Sequence, residues 1–265
     1  MLKSKNLMKK NKFRNNFLNI FICAISPIIT IFHIESVQSQ TSDEFKKAWE
    51  DAYYNYRDCN RAIYFINQAI KVKPKDAISY IYRGQTLREL CNDKNAAIAD
   101  ANFVINDLLK DPINEDQKKN LAKAYFGRAI SIELIADQNW KKMNNSATIF
   151  ETNMYRDKAL TGFREAIGDY SKSISLDRKN VDTYYMRGRT YEKIYRKDIA
   201  CYDYRTGWAL GDQEMRGFSI RECGYDSPAF FTDIACEYAS KNEIKSTIQP
   251  EDPDMNLFVK NECGF

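Results

Sequence analysis

Histidine is almost absent from this chain. Of 265 residues one is histidine, His33, and it sits in a segment that reads as an address label to be removed. A mature chain without histidine has no Ser-His-Asp or Cys-His nucleophile and no His-containing zinc site. Glycine and proline are also scarce, with 10 and 6 copies where average usage gives roughly 18 and 13. So few chain-breakers argue against sandwiches, barrels and long disordered tracts. No Cys-x-x-Cys occurs, which removes the redox motif and the zinc knuckle. Gly-rich phosphate loops are missing too: the closest two glycines are Gly207 and Gly211. What the chain does have is 44% apolar and 29% charged residues, with 17 Tyr, 15 Phe and 3 Trp, enough for a packed core.

The N-terminus is a different kind of sequence. Lys3, Lys5, Lys9, Lys10, Lys12 and Arg14 precede an apolar run from Phe17 to Phe32, and Val37-Gln38-Ser39 follows. A basic start, a short apolar core and a small-residue site are the layout of a secretory signal peptide. The core is about 13 residues, short of the roughly 20 needed to span a bilayer. We expect residues 1–39 to be cleaved and the protein to be secreted or periplasmic; the alternative is an uncleaved signal-anchor. Cleavage takes away six of the 40 basic and one of the 36 acidic residues, leaving 34 and 35 and a net charge of −1. The basic pI belongs to the label, so no electrostatic case for nucleic-acid binding remains. It also takes Cys23 and leaves six cysteines, Cys59, Cys91, Cys201, Cys223, Cys236 and Cys263. An even set in an exported chain reads as disulfides; free buried thiols are the alternative.

Shifted by 104 residues, the chain aligns with itself without a gap. Ala62-Ile63, Ile70, Val72, Tyr80, Arg83-Gly84 and Thr86 meet Ala166-Ile167, Ile174, Leu176, Tyr184, Arg187-Gly188 and Thr190. The offset is close to three periods of 34. Within a unit Leu160, Phe163, Ile167, Tyr170 and Ile174 step by three and four, one stripe of a helix. Pro74 and the Asp-Arg-Lys-Asn at 177–180 interrupt the stripes where helices should end. This predicts an all-α chain of helix pairs. Tyr184-x2-Arg187-Gly188-x2-Tyr191 with Ala200-x3-Tyr204, together with Tyr80-x2-Arg83-Gly84-x2-Leu87, Ala166-x3-Tyr170, and Ala62 and Ala69 with Pro74, resemble the tetratricopeptide repeat. The resemblance implies a right-handed α-solenoid of about four units, near 43–76, 77–115, 120–180 and 181–214. Gly84, Gly127, Gly188, Ala62, Ala97, Ala166 and Ala200 then sit where paired helices approach most closely. Gly127 and Gly188 are 61 residues apart, so the third unit carries an inserted helical arm near 135–160. Asn144-Asn145-Ser146 is its turn and Thr148 to Glu151 a capping box. The arm packs on its neighbours or reaches out to a partner. Residues 215–265 read as a cysteine-tied cap, with a helix opening at Ser227-Pro228.

First helices of such units line a groove that binds a protein or peptide. In the register set by the glycines, the groove candidates are Lys47, Asp51 and Tyr54; Ile81, Tyr82, Gln85 and Arg88; Tyr125, Arg128 and Ile132; and Tyr185, Arg189 and Glu192. Tyr and Arg with few Lys is an interface composition, and Arg128 and Arg189 suit a two-point grip on a carboxylate; solvated faces are the plain alternative. Arg83 and Arg187 read as packing residues. Some family members hold acidic chaperone tails with a Lys/Asn/Arg clamp. Asp51 and Tyr82 stand where the clamp wants Asn, so that function is not carried over. Asp51 with Glu89 is an acid pair without a catalytic signature; no enzyme, metal or cofactor is expected. Cys59 and Cys91 lie in matching turns of units one and two, about 10 Å apart before any offset. An offset of a residue or two toward each other brings them within bonding range. We expect that bridge, with Cys201, Cys223, Cys236 and Cys263 pairing among themselves.

Overall fold

The structure, a computed structural model, describes residues 41–224. The signal-like segment, the helix expected at Ser227-Pro228, Cys236 and Cys263 lie outside these residues. The described residues form nine α-helices: α1 (Ser42–Glu50), α2 (Cys59–Val72), α3 (Ala77–Glu89), α4 (Lys94–Phe103), α5 (Glu115–Asn144), α6 (Ile149–Leu176), α7 (Val181–Lys193), α8 (Lys197–Ala209) and α9 (Gln213–Cys223). They pack as successive hairpins, α1 with α2, α3 with α4, α5 with α6 and α7 with α8. Each second helix also packs on the first helix of the next unit, and first helices touch in turn, α3 with α5 and α5 with α7. This is the all-α solenoid that the repeat implies. Helix α9, for which no stripe was read, packs on α8 as the first helix of a further unit.

Local chemistry sets the helix ends. Side chains of Asp58, Asp93, Asn114, Thr148 and Asp212 each accept a backbone N–H three residues on, the N-cap arrangement. Thr41 and Glu44 complete a reciprocal capping box. Arg57, Asn92 and Tyr195, each immediately before a second helix or its cap, adopt φ of 52°, 59° and 63°. A left-handed residue is needed there to turn the chain, and no glycine marks these turns. The arm is two helices run on without a break, 30 and 28 residues long where most others have 9 to 14. Its base belongs to the core. Ala136 and Ala159 are buried beside Phe163, with Trp140 packed on them. Only the tip, with Ile149 and Phe150 exposed, stands clear.

One interaction recurs three times. Arg83 on α3 forks onto Asp100 of α4 at 2.8 and 2.6 Å and reaches Asn67 of α2 at 2.9 Å. Arg128 on α5 forks onto Asp169 of α6 at 2.7 and 2.7 Å and reaches Asn102 of α4 at 2.7 Å. Arg187 on α7 forks onto Asp203 of α8 at 3.0 and 2.7 Å and reaches Ser171 of α6 at 2.9 Å. Each guanidinium thus joins both helices of its own unit to the second helix of the preceding one. Each also lies over the ring three residues earlier, Tyr80, Tyr125 or Tyr184, at 5.2, 5.3 and 5.8 Å. Three residues later the hydroxyls of Thr86, Ser131 and Thr190 donate to carbonyls one turn back.

This pattern corrects the sequence register of the third unit. Arg128 is the counterpart of Arg83 and Arg187, and the small residue that follows it is Ala129, not Gly127. Ala129 is fully buried beside Ala166 and Tyr170, as Gly84 lies against Ala97 and Gly188 against Tyr204. A Cβ on Gly127 would meet only the Arg88 side chain, at 3.5 Å, so Gly127 is not a close-approach residue. Glycine drew the alignment two residues out of step.

Among the described residues, the first and last units do not carry the clamp. Seven residues after the caps Asp76 and Asn180 come Arg83 and Arg187; seven after Thr41 and Asp212 come Ala48 and Ser219. Disulfides stand there instead. Cys59 at the start of α2 is bonded to Cys91 in the turn after α3, Cα atoms 5.3 Å apart, and Cys201 of α8 to Cys223 at the end of α9, 5.7 Å apart. The bridges tie the first and the last described unit to their neighbours.

The Arg187 and Asp203 side chains are both 0% exposed, whereas Arg83 and Asp100 are 26% and 9% exposed. Asp203→Ala strands a buried guanidinium and should cost about 3–5 kcal/mol, and Asp100→Ala about 1–3 kcal/mol, measured by urea unfolding. Equal losses at the two sites would contradict the graded burial. Closing loops of 32 and 22 residues, the disulfides should contribute about 3–4 kcal/mol each by the chain-entropy relation. Calorimetry with and without a phosphine reductant should show a lower, broader transition on reduction as the ends loosen first; an unchanged transition would speak against terminal ties.

Candidate functional site

The side on which first helices meet is built from residues at fixed steps beyond each clamp position. At the start of the stack it is aromatic and polar. The Trp49 and Tyr82 rings stack 4.3 Å apart, 7° from parallel, and the Trp49 indole donates to Thr86 at 2.8 Å. The Tyr53 hydroxyl accepts from Gln85 at 2.9 Å and donates to Glu89. Arg88 holds the other oxygen of Glu89 at 2.7 Å and reaches the Gly127 carbonyl at 3.4 Å. Further along lies a partly buried ionic cluster. Glu133 of α5 accepts from the Tyr170 hydroxyl at 2.6 Å and from Lys193 of α7 at 2.7 Å, and Lys193 also meets Asp137 at 2.8 Å. Between these polar stretches, α5 presents Phe126, Ile130 and Leu134, four residues apart on one stripe and each partly exposed. Phe126, Ile130 and Met186 of α7 pack on Ala129 and Tyr170.

Several predicted groove residues are committed to neighbours inside the chain. Tyr82 is stacked on Trp49, Gln85 holds Tyr53, and Arg88 is largely buried against Glu89. Asp51 accepts from Asn55 at 2.8 Å, and Lys47 and Tyr54 lie toward solvent. Ile81 packs beside α5 with Ala77 and Leu121. At the far end Arg189 meets Tyr185 at 3.1 Å and Glu192 at 3.4 Å, and its side chain stays largely exposed. The acid pair weighed for catalysis is likewise engaged, Glu89 by Tyr53 and Arg88 and Asp51 by Asn55.

Tyr125, Arg128 and Ile132 are placed on a different side. They line a cleft with Ile98 and Asn102 of α4 and with Gly168 and Asp169 of α6. The reason is the register. Two residues on an α-helix turn a side chain by about 200°, so an alignment anchored on Gly127 selects the opposite face. Arg128 therefore does not grip a ligand carboxylate, because its fork is already closed on Asp169. The residues at those groove positions are Phe126, Ile130 and Leu134. The signal that would have found them is the Tyr-x2-Arg spacing of Tyr125 and Arg128, matching Tyr80 with Arg83 and Tyr184 with Arg187.

No family profile matches the chain. It is 24% identical over 241 residues to the DnaJ protein P58IPK homolog A of Oryza sativa subsp. japonica. That alignment covers 86% of this chain, which spans half the length of that relative. Among solved structures, the tetratricopeptide-repeat protein TTC0263 of Thermus thermophilus aligns over 83% of this chain and 97% of its own, at 16% identity and a TM-score of 0.47. The MamA protein aligns over 70% and 95%, at 16% identity and a TM-score of 0.27.

The groups on this side hold their protons tightly. Burial and the neighbouring Glu89 push the Tyr53 phenol up to about 12. Burial raises Tyr82 and, with Glu133 alongside, Tyr170. Burial opposes the charge of Lys193, but Glu133 and Asp137 outweigh it and raise its pKa. These groups ionise near pH 10 in the unfolded chain. Their contribution is complete below about pH 10 and is lost as pH rises toward the folded values, because the unfolded state then binds fewer protons. Tyrosinate absorbance and helical dichroism followed from about pH 9 to 12.5 should show a late group of tyrosines ionising only as helix is lost. Full tyrosine ionisation with the helices intact would contradict this.

Proposed function

We propose that this stack of tetratricopeptide-type helix pairs is an exported protein-binding scaffold, with no chemistry of its own, that takes a helix or extended segment of a partner along the first-helix side. The observation that carries the reading is the stripe Phe126, Ile130 and Leu134. It is partly exposed, it lies midway along the stack, and polar groups bound it, Gln85 and Glu89 before it and Arg189 and Glu192 after. An apolar centre within a polar rim is the anatomy of a protein interface. The relatives support an interaction scaffold in general; export rests on the basic start, the apolar run and Val37-Gln38-Ser39.

A photo-crosslinking residue at Leu134 in the exported protein should capture a defined partner, and the same residue at Tyr64 should not. Ile130→Asp should cut that capture roughly tenfold or more, as loss of one central contact does, and should leave the dichroism unchanged. Equal capture from both positions, or full capture by Ile130→Asp, would contradict the assignment.

A further inference from the structure

The cleft over α5, between α4 and α6, has a volume of about 560 Å³ and belongs to none of the contacts assigned above. Its floor is the Arg128–Asp169 clamp. Its walls include Ile98, Ile132 and Gly168. The three clamps are a built-in comparison. The residue immediately before the clamp aspartate is Ala99 in the second unit, Gly168 in the third and Tyr202 in the fourth. Where it is Ala99 or Gly168, the arginine side chain is 26% or 21% exposed; where it is Tyr202, itself packed against the neighbouring core, the arginine is 0% exposed. A Cβ built on Gly168 meets nothing within 4 Å. The third unit thus has open space where the fourth carries a tyrosine.

The chemistry of that space is narrow. Asp169 neutralises the guanidinium and, with Asn102, takes one donor on each of its three nitrogens. Glu165 and Lys172 also line the cleft, so its two cations are matched by two carboxylates and it offers no net charge to an anion. One face of the guanidinium lies over Tyr125 at 5.3 Å. What remains is a flat cation beside Ile98 and Ile132, with Glu165 and Lys172 on either side of Gly168 completing the lining. An apolar wall against a guanidinium, with polar groups at its edge, suits an aromatic ring that carries a hydroxyl.

We propose that this cleft is a second binding site, on a side of the stack other than the first-helix groove, and that it receives a tyrosine side chain presented by a partner polypeptide. The ring enters the open space at Gly168, the position that Tyr202 holds in the fourth unit. The site is independent of the groove, and a partner anchored in one can leave the other free.

The test uses the full-length protein with methyl-labelled isoleucine and three probes. They are p-cresol as the tyrosine side chain, cyclohexanol as a saturated ring of similar size, and N-acetyl-Gly-Tyr-Gly-amide as a tyrosine on a peptide. The first and third should shift the methyl resonances of Ile98 and Ile132, with p-cresol binding roughly 5-fold or more tighter than cyclohexanol, the scale of a partly desolvated cation–π contact. Gly168→Tyr should abolish both shifts and raise the melting temperature. Gly168→Ala, which changes helix propensity but leaves the space, should keep the shifts. The proposal is overturned by equal affinity for cyclohexanol, by shifts that persist in a folded Gly168→Tyr variant, or by no response to p-cresol in the wild type. A response to p-cresol but not to the peptide would overturn the polypeptide partner and leave a site for small aromatic molecules.

Discussion

A guanidinium laid across three helices holds consecutive hairpins of this protein in place. The arrangement is costly to assemble, because an arginine and an aspartate must both leave water. It succeeds because the fork meets the carboxylate at two points, a third polar group from the preceding unit takes a further donor, and a tyrosine ring covers one face. The residue after the arginine is glycine or alanine, which lets the second helix come close enough for the fork to close. An ordinary apolar contact would hold the helices together without fixing their register. The charged fork tolerates little slippage, since a shift of one residue along either helix strands a charge.

Burial of this clamp differs along the stack. It is partly open at Arg83 and Arg128 and closed at Arg187, where Tyr202 precedes the aspartate. In the first and last described units it is missing, and a disulfide joins each of these to its neighbour. The covalent ties Cys59–Cys91 and Cys201–Cys223 stand in the described units that lack the arginine fork. They also fit a chain whose leading residues read as an export signal.

Much of this was legible in the sequence, and the exceptions have physical causes. The 104-residue offset, Arg83-Gly84 and Arg187-Gly188 identify the hairpins and their close approaches. Cys59 and Cys91 could be paired because equivalent turns stack. The third unit departs from its glycine register because Gly127 adjoins Arg128 but has no packing duty. On a helix the resulting two-residue slip reverses the face, so Tyr125, Arg128 and Ile132 were placed in a groove they do not line. The Glu133–Lys193 pair, 60 residues apart in sequence, had no local signal. Nor did the turns at Arg57, Asn92 and Tyr195, where a left-handed conformation occurs without glycine.

The two surfaces have opposite characters for one reason. Around α5 the chain places small or apolar residues where its neighbours place polar or bulky ones. Ile130 and Leu134 replace Gln85 and Glu89 on the first-helix side, and Gly168 replaces Tyr202 on the other. Both proposed sites therefore fall in the third unit.

Native-state hydrogen exchange of the oxidised protein tests most directly whether the clamps carry the fold. The amides of α6, α7 and α8, joined through the fully buried Arg187–Asp203 pair, should exchange slowest, and protection should fall toward α1 and α9. Uniform protection along the stack, or slowest exchange in α1 and α2 where no clamp exists, would contradict the claim.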